Sequence, residues 1–306
     1  MPGFGFIMIL MAAFFFPGII LRTKSLASGR KGPGVLQPVK DIMVLLRKGS
    51  VFSETSGIIF RIAPAITLAS IVCAMLVIPF GDDKALISFD GDFLFFAYLL
   101  ALGKFFAIIA ALDTGSSFEG MGANREALYS MLVEPAFFIL LGTFAMFTGY
   151  TSFSDIFTHF YITGNHYVLI YSLIGIYLFI QIAMIENSRL PVDDPKTHLE
   201  LTMVHEVMIL DNSGFDKALI HIGTYLKFAV YGALMCVVLV PAKWNLVLQI
   251  ALFFAIQFVF AVVIGLIESF RARNKMAKNP KFILTLSAIA LIAFVVVLIL
   301  TGKLIN

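Results

Sequence analysis

Long apolar runs alternate with short polar stretches along the chain, and eight of the runs are long enough to cross a bilayer. They fall at about 3–21, 58–80, 92–113, 131–150, 167–186, 218–240, 245–268 and 281–301. A spanning helix needs about 17 to 25 mainly apolar residues, so each run predicts one transmembrane helix. An even number of spans places both chain ends on the same side. Two connections have their own pattern. In "GRKGPGVLQPVKDIMVLLRKGS", Val39, Ile42, Met43, Leu45 and Leu46 share one side and Lys40, Asp41, Arg47 and Lys48 the other. That spacing predicts a short amphipathic helix in the cytoplasmic interface, the alternative being a plain basic tether. In the fifth-to-sixth loop, Thr197 with Glu200 three residues on has capping-box spacing and predicts a short helix over about 197–210. The expected fold is an all-α integral membrane protein: a single membrane domain, 1–306, of eight transmembrane helices with an interfacial helix and a short helix in the fifth-to-sixth loop.

Composition agrees with the pattern. Hydrophobic residues make up 60% of the 306, charged residues 13%, and the mean hydropathy is +0.96, against about 25% charged residues in a soluble domain. Lys and Arg then set orientation. Loop 22–57 carries Arg22, Lys24, Arg30, Lys31, Lys40, Arg47 and Lys48; loop 114–130 carries Arg125; loop 187–217 carries Arg189, Lys196 and Lys217. The seventh-to-eighth connection adds Arg271, Arg273, Lys275 and Lys278, whereas the opposite face has Lys84, Lys243 and Lys303. The expectation is a multi-pass protein of the cytoplasmic (inner) membrane with both termini outside. The first run has no basic region ahead of it, so it reads as an anchor rather than a cleaved signal. The net charge of +3 belongs to loops flanking spans and does not form a nucleic-acid footprint. Cys73 and Cys236 lie in apolar runs and are too few to hold an iron-sulfur cluster. No CxxC, P-loop or GxGxxG occurs, so this chain is expected to carry no cofactor or metal, and any redox chemistry falls to another subunit.

Charges inside spans cost about 2.5 to 3.5 kcal/mol each on insertion scales, and so point to pathway or contact roles. Lys104, Asp113, Glu134, Glu186, Lys227 and Glu268 are such residues. Glu134 is the sharpest, a turn into its helix in "SMLVEPAFFIL" beside a proline that frees backbone carbonyls. For Glu186, Asp113, Lys227 and Glu268, snorkelling or pairing inside the bundle is the plainer alternative. The stretch "RLPVDDPKTHLELTMVHEVMILDNSG", 189–214, concentrates acids and histidines. A zinc site is one reading, but "HEVMI" lacks the second histidine of HExxH. A solvated capping loop is another. A buried acidic passage joining a partner to the membrane charges fits best, because acids and histidines relay protons where water is scarce. His198 and His205, seven apart, would share a helix face there.

Three stretches carry a family resemblance: "GRKGPGVLQPVKDIMVLL" (29–46), "LDTGSSFEGMGANREALYSMLVEPAFF" (112–138) and "ENSRLPVDDPKTHLELTMVHEVMILDNSG" (186–214). In this order they resemble the membrane subunit shared by respiratory complex I, where it is subunit 1 or H, and the group 4 membrane-bound hydrogenases. The pattern is most similar to the hydrogenase-4 component C and formate hydrogenlyase subunit 4 branch. The family's Arg before its fourth span and the Glu nine residues later match Arg125 and Glu134. Gly122 to Ala127 and Val133 to Pro135 meet the hydrogenase-branch pattern in full. The loop motif matches Glu186, Arg189, Pro191 and Asp193, with Val192 replacing a Phe. A later Glu matches Glu200, and the closing Glu-Tyr-Ser-Gly is similar to Asp211 to Gly214. Lys196 and His198 stand where the family has acids, and about three extra residues follow Glu200; both departures weaken a quinone chamber.

The resemblance implies an interface subunit, inactive alone, of an energy-converting hydrogenase or formate hydrogenlyase. Glu134, Glu186, Asp193, Glu200, Glu206, Asp211, Arg125, Arg189, Lys104, Asp113, His198 and His205 form its expected proton or coupling pathway. Hydrogenase-like large and small subunits and an iron-sulfur protein, holding a nickel-iron site and iron-sulfur clusters, would dock on loops 22–57, 114–130 and 187–217. Antiporter-like membrane subunits would lie beside it. The alternatives are a quinone-chamber subunit of a complex I-like oxidoreductase and a hydrogenase-related complex without the nickel site.

Overall fold

A computed structural model describes residues 3–81, 83–161, 167–194, 203–242 and 244–301. Eleven α-helices follow in order among these residues: α1 (Phe4–Ala27), α2 (Gln37–Leu46), α3 (Ile58–Met75), α4 (Asp92–Asp113), α5 (Ser117–Thr148), α6 (Phe153–Phe160), α7 (Val168–Glu186), α8 (His205–Met208), α9 (Gly214–Leu239), α10 (Leu246–Phe270) and α11 (Asn279–Leu300). Eight of them, α1, α3, α4, α5, α7, α9, α10 and α11, are long and apolar enough to cross a membrane. No strand occurs among the described residues. The chain is therefore an all-α, multi-pass membrane protein.

The most enclosed span is α9, packed by α1, α3, α7, α10 and α2. Within a bilayer, helices associate through shape and polar contacts, since lipid is as apolar as leucine. Aromatic rings supply much of that shape: Phe137 meets both Phe179 and Tyr231, and Phe16 stacks on Phe228 with centroids 5.4 Å apart. A buried amide joins α9 to α10, Gln257 Nε2 donating to the Ala229 carbonyl at 2.8 Å.

Several boundaries differ from the sequence reading. The span expected at 131–150 is the end of a much longer helix, α5, so loop 114–130 shrinks to three residues between α4 and α5. Glycines and charges made that stretch look like a loop, yet its polar side chains find buried partners and the backbone stays helical. The first span continues to Ala27 and the second stops at Met75. The amphipathic helix at 37–46 forms, but buries a narrower face than its pattern suggested: Pro38 and Ile42 are enclosed while Met43 and Leu46 stay exposed. Of the helix expected over 197–210, the described part is only α8; residues 195–202, including His198 and Glu200, lie outside the described residues. An unexpected amphipathic helix, α6, is fixed by the buried carboxylate of Asp92. That group accepts hydrogen bonds from the Phe153 N–H at 2.6 Å and the Ser152 hydroxyl at 3.0 Å.

Candidate functional site

Four spans each bring one charge to a common point. Lys104 of α4 ion-pairs with Glu126 of α5 at 2.5 Å and with Glu186, the last residue of α7, at 3.2 Å. Lys227 of α9 reaches the same Glu186 oxygen at 3.4 Å. Both ammonium groups also donate to the Glu186 backbone carbonyl, at 3.3 and 3.4 Å, which α7 leaves unpaired because the helix ends there. Two cations and two anions thus neutralise one another in a place where an isolated charge would be costly. Ser188 holds the far side: its hydroxyl donates to the second Glu126 oxygen at 3.3 Å. It does so from a left-handed backbone, φ +49°, a conformation that costs of order 1–3 kcal/mol for a non-glycine residue and persists only where surrounding contacts impose it.

The cluster borders two cavities. The larger, about 70 Å³, is lined by Lys104, Glu126, Glu186 and Lys227 and, toward the 187–213 connection, by His205 and Asn212. One water needs about 10–15 Å³ of such space, so several fit. Its remaining wall is mostly apolar, chiefly from α3, α4 and α9, with the Thr67 and Thr224 side chains and Asn187 as further polar members. The smaller, about 20 Å³, is lined by Glu134, Tyr231, Lys104 and Glu186. Lys104 and Glu186 therefore form the partition between the two. Glu134 makes no ion pair among the described residues, and Pro135 beside it cannot donate to the carbonyl of Met131.

A second charge layer holds the connection after α7. Glu268 of α10, almost wholly buried, pairs with Lys24 of α1 at 3.3 Å and with Arg189 at 3.1 Å. Arg189 also lies over the Phe228 ring, its guanidinium 5.3 Å from the centroid and within cation–π reach. Asp193 pairs with Arg273 at 2.8 Å and accepts from the backbone N–H of His205 at 3.1 Å. Burial is the largest influence on Asp193 and holds its carboxyl above the usual range despite those donors. Desolvation likewise pushes His205 down to about 4, so its imidazole is neutral near pH 7. Arg125 donates to the Met203 carbonyl at 3.0 Å, fastening α5 to the segment that leads into α8.

The expected residues thus separate. Lys104, Glu186 and His205 meet at the larger cavity, and Glu134 lies behind its partition. Asp193, Arg189 and Arg125 tie down the connection. Asp113 stands apart, accepting from the Phe60 N–H at 3.0 Å near the start of α3. The Asp211 side chain is exposed, and its backbone N–H donates to Glu119 at 2.9 Å. Glu206 is partly exposed on α8. His198 and Glu200 fall outside the described residues. Sequence reasoning did not place Glu126 or Glu119 at the site, because both sat in a stretch taken as loop. Their signal was helical spacing: Glu126 lies eight residues, about two turns, before Glu134. Lys227 and Glu268 were visible as membrane charges, but pairing alone sorts them into their clusters.

Among the described residues no group of three or more His, Cys, Asp or Glu is arranged to hold a metal ion. Residues 3–299 match the family described as NADH dehydrogenase. Formate hydrogenlyase subunit 4 of Escherichia coli (strain K12) is 30% identical over 302 residues, covering 94% of this chain and 95% of that protein. Hydrogenase-4 component C of the same organism is 30% identical over 238 residues, 77% of this chain and 73% of the relative. The H subunit of NADH-quinone oxidoreductase from Wolbachia pipientis wMel is 25% identical over 304 residues, covering 89% and 86%. Among solved structures, a chain of the membrane-bound sulfane sulfur reductase, an archaeal respiratory membrane complex, shares the fold with a TM-score of 0.78 at 18% identity, covering 95% of this chain and 96% of that one. With its eight apolar spans and a match across nearly its whole length, this chain belongs to the NADH dehydrogenase subunit 1/H family of membrane subunits.

Proposed function

We propose that this chain is the interface subunit of a complex I-like energy-converting hydrogenase or formate hydrogenlyase, linking an electron-transfer arm to proton or sodium translocation. The observation that carries the reading is the charge-balanced cluster of Lys104, Glu126, Glu186 and Lys227 between two cavities. One cavity reaches His205 and Asn212 beside the 187–213 connection; the other holds Glu134. Carboxylates and ammonium groups that exchange partners across water-sized space can pass a proton without exposing a lone charge to lipid. The chain catalyses nothing alone. Hydrogenase-like large and small subunits and an iron-sulfur protein dock on the cytoplasmic side and hold the nickel-iron and iron-sulfur centres; antiporter-like subunits lie alongside. The protein resides in the inner membrane with both termini outside.

A second reading, a quinone-chamber subunit, draws on the apolar wall of the larger cavity and on the NADH-quinone oxidoreductase relatives. A third is a hydrogenase-related complex without nickel. Purification of the intact complex on a C-terminal tag separates them. Hydrogenase-type partners, nickel and hydrogen evolution from a reduced dye are expected. The same partners without nickel favour the third reading, retained quinone the second, and absence of partners overturns all three. Within the intact complex, Glu134→Gln is expected to leave electron transfer running and to abolish ion pumping into sealed vesicles; unchanged pumping would remove Glu134 and its cavity from the pathway.

A further inference from the structure

A groove of about 400 Å³ runs between α1 and α10 at mid-span, walled by Ala12, Phe15 and Ile19 on one side and Phe254, Ala255 and Phe258 on the other. Its one polar neighbour, Gln257, turns its amide inward to the Ala229 carbonyl, leaving the groove apolar. Ala12, Phe15 and Ile19 recur every three or four residues, and the next residue on that stripe is Arg22. Arg22 is exposed and donates to the Gly32 carbonyl at 3.1 Å, and the Arg30 N–H donates to the Ser25 carbonyl at 2.9 Å. These bonds fold the chain back over the end of α1 and bring Gly32, which Arg30 and Lys31 precede in sequence, to the Arg22 side chain one step along the stripe beyond Ile19; all three cations are exposed.

From Ala12 to Arg22 is ten residues, about 15 Å along a helix. That is half of a hydrocarbon core of about 30 Å, the depth of one leaflet. We propose that this groove is a binding site for one anionic phospholipid, an acyl chain lying against Ala12, Phe15, Ile19 and Ala255 and the phosphate at Arg22, Arg30 and Lys31. The length match selects a single acyl chain from one leaflet, and the cation cluster selects an anionic headgroup over a zwitterionic one, each such cation near a membrane surface being worth enough to change affinity about fivefold.

Native mass spectrometry of the intact complex, stripped by detergent and then offered phosphatidylglycerol or phosphatidylcholine, tests this. The wild type is expected to retain one phosphatidylglycerol per copy of this chain and to prefer it to phosphatidylcholine. Ala255→Trp fills an exposed part of the groove without entering the core and is expected to remove the retained lipid. Arg22→Gln is expected to keep binding but to lower the preference for phosphatidylglycerol about fivefold. Equal retention of phosphatidylglycerol in the Ala255→Trp complex overturns the site; so does recovery of a quinone, or a partner subunit's helix seated in the groove.

Discussion

His205 is held between a buried carboxylate and the lysine cluster, and its neutrality is a condition of that packing. Its value of about 4 in the folded protein lies below the ordinary 6.5, so the unfolded segment takes up a proton first as pH falls. The stabilisation is complete above about pH 6.5 and is lost as the pH drops toward 4. Asp193 pulls the other way, since its raised value means that protonation relieves the cost of burying it. Comparing limited proteolysis of residues 203–212 in wild type and His205→Gln isolates the histidine. The wild type is expected to become more susceptible than the variant between about pH 7 and about pH 5; identical profiles would mean that His205 titrates as it does in water. Individual charges were legible in the sequence because insertion costs make them conspicuous. Which charge meets which was not, since Lys104 and Glu186 are distant in sequence and meet only through the order of the helices around α9.

Among the elements, α5 departs furthest from its expected bounds. It keeps the polar stretch 117–130 helical because that stretch is enclosed by α8 and the segment before it. Gly122 marks the closest approach: a Cβ there would run into the Val207 side chain and the Val204 carbonyl. Gly122→Ala is expected to destabilise by about 1–3 kcal/mol through overpacking, visible as a lower melting temperature and faster cleavage near residue 204. Gly142→Ala, on the same helix with open space around it, serves as the control and is expected to be neutral or to stabilise by about 0.5–1 kcal/mol. Spans were readable because apolar length is a local property. The N-terminal half of α5 and the whole of α6 were not, because each is stabilised by a distant partner: α8 for the first and Asp92 for the second.

For the whole molecule, the charge asymmetry of the loops sets the expected topology. In sealed vesicles of known orientation, Lys40→Cys should react with an impermeant maleimide only from the cytoplasmic face and Lys84→Cys only from the other; the reverse labelling would invert the proposed orientation. The cluster between the two cavities has a consequence at the same scale. Its two cations and two anions sum to zero, so one extra proton would leave a net charge in a medium where a lone charge costs about 2.5 to 3.5 kcal/mol, a population penalty of roughly a hundredfold. Such a cluster cannot act as a reservoir. In the proton pathway proposed for it, the cluster is expected to work as a turnstile, admitting a proton on one side only as another leaves on the far side.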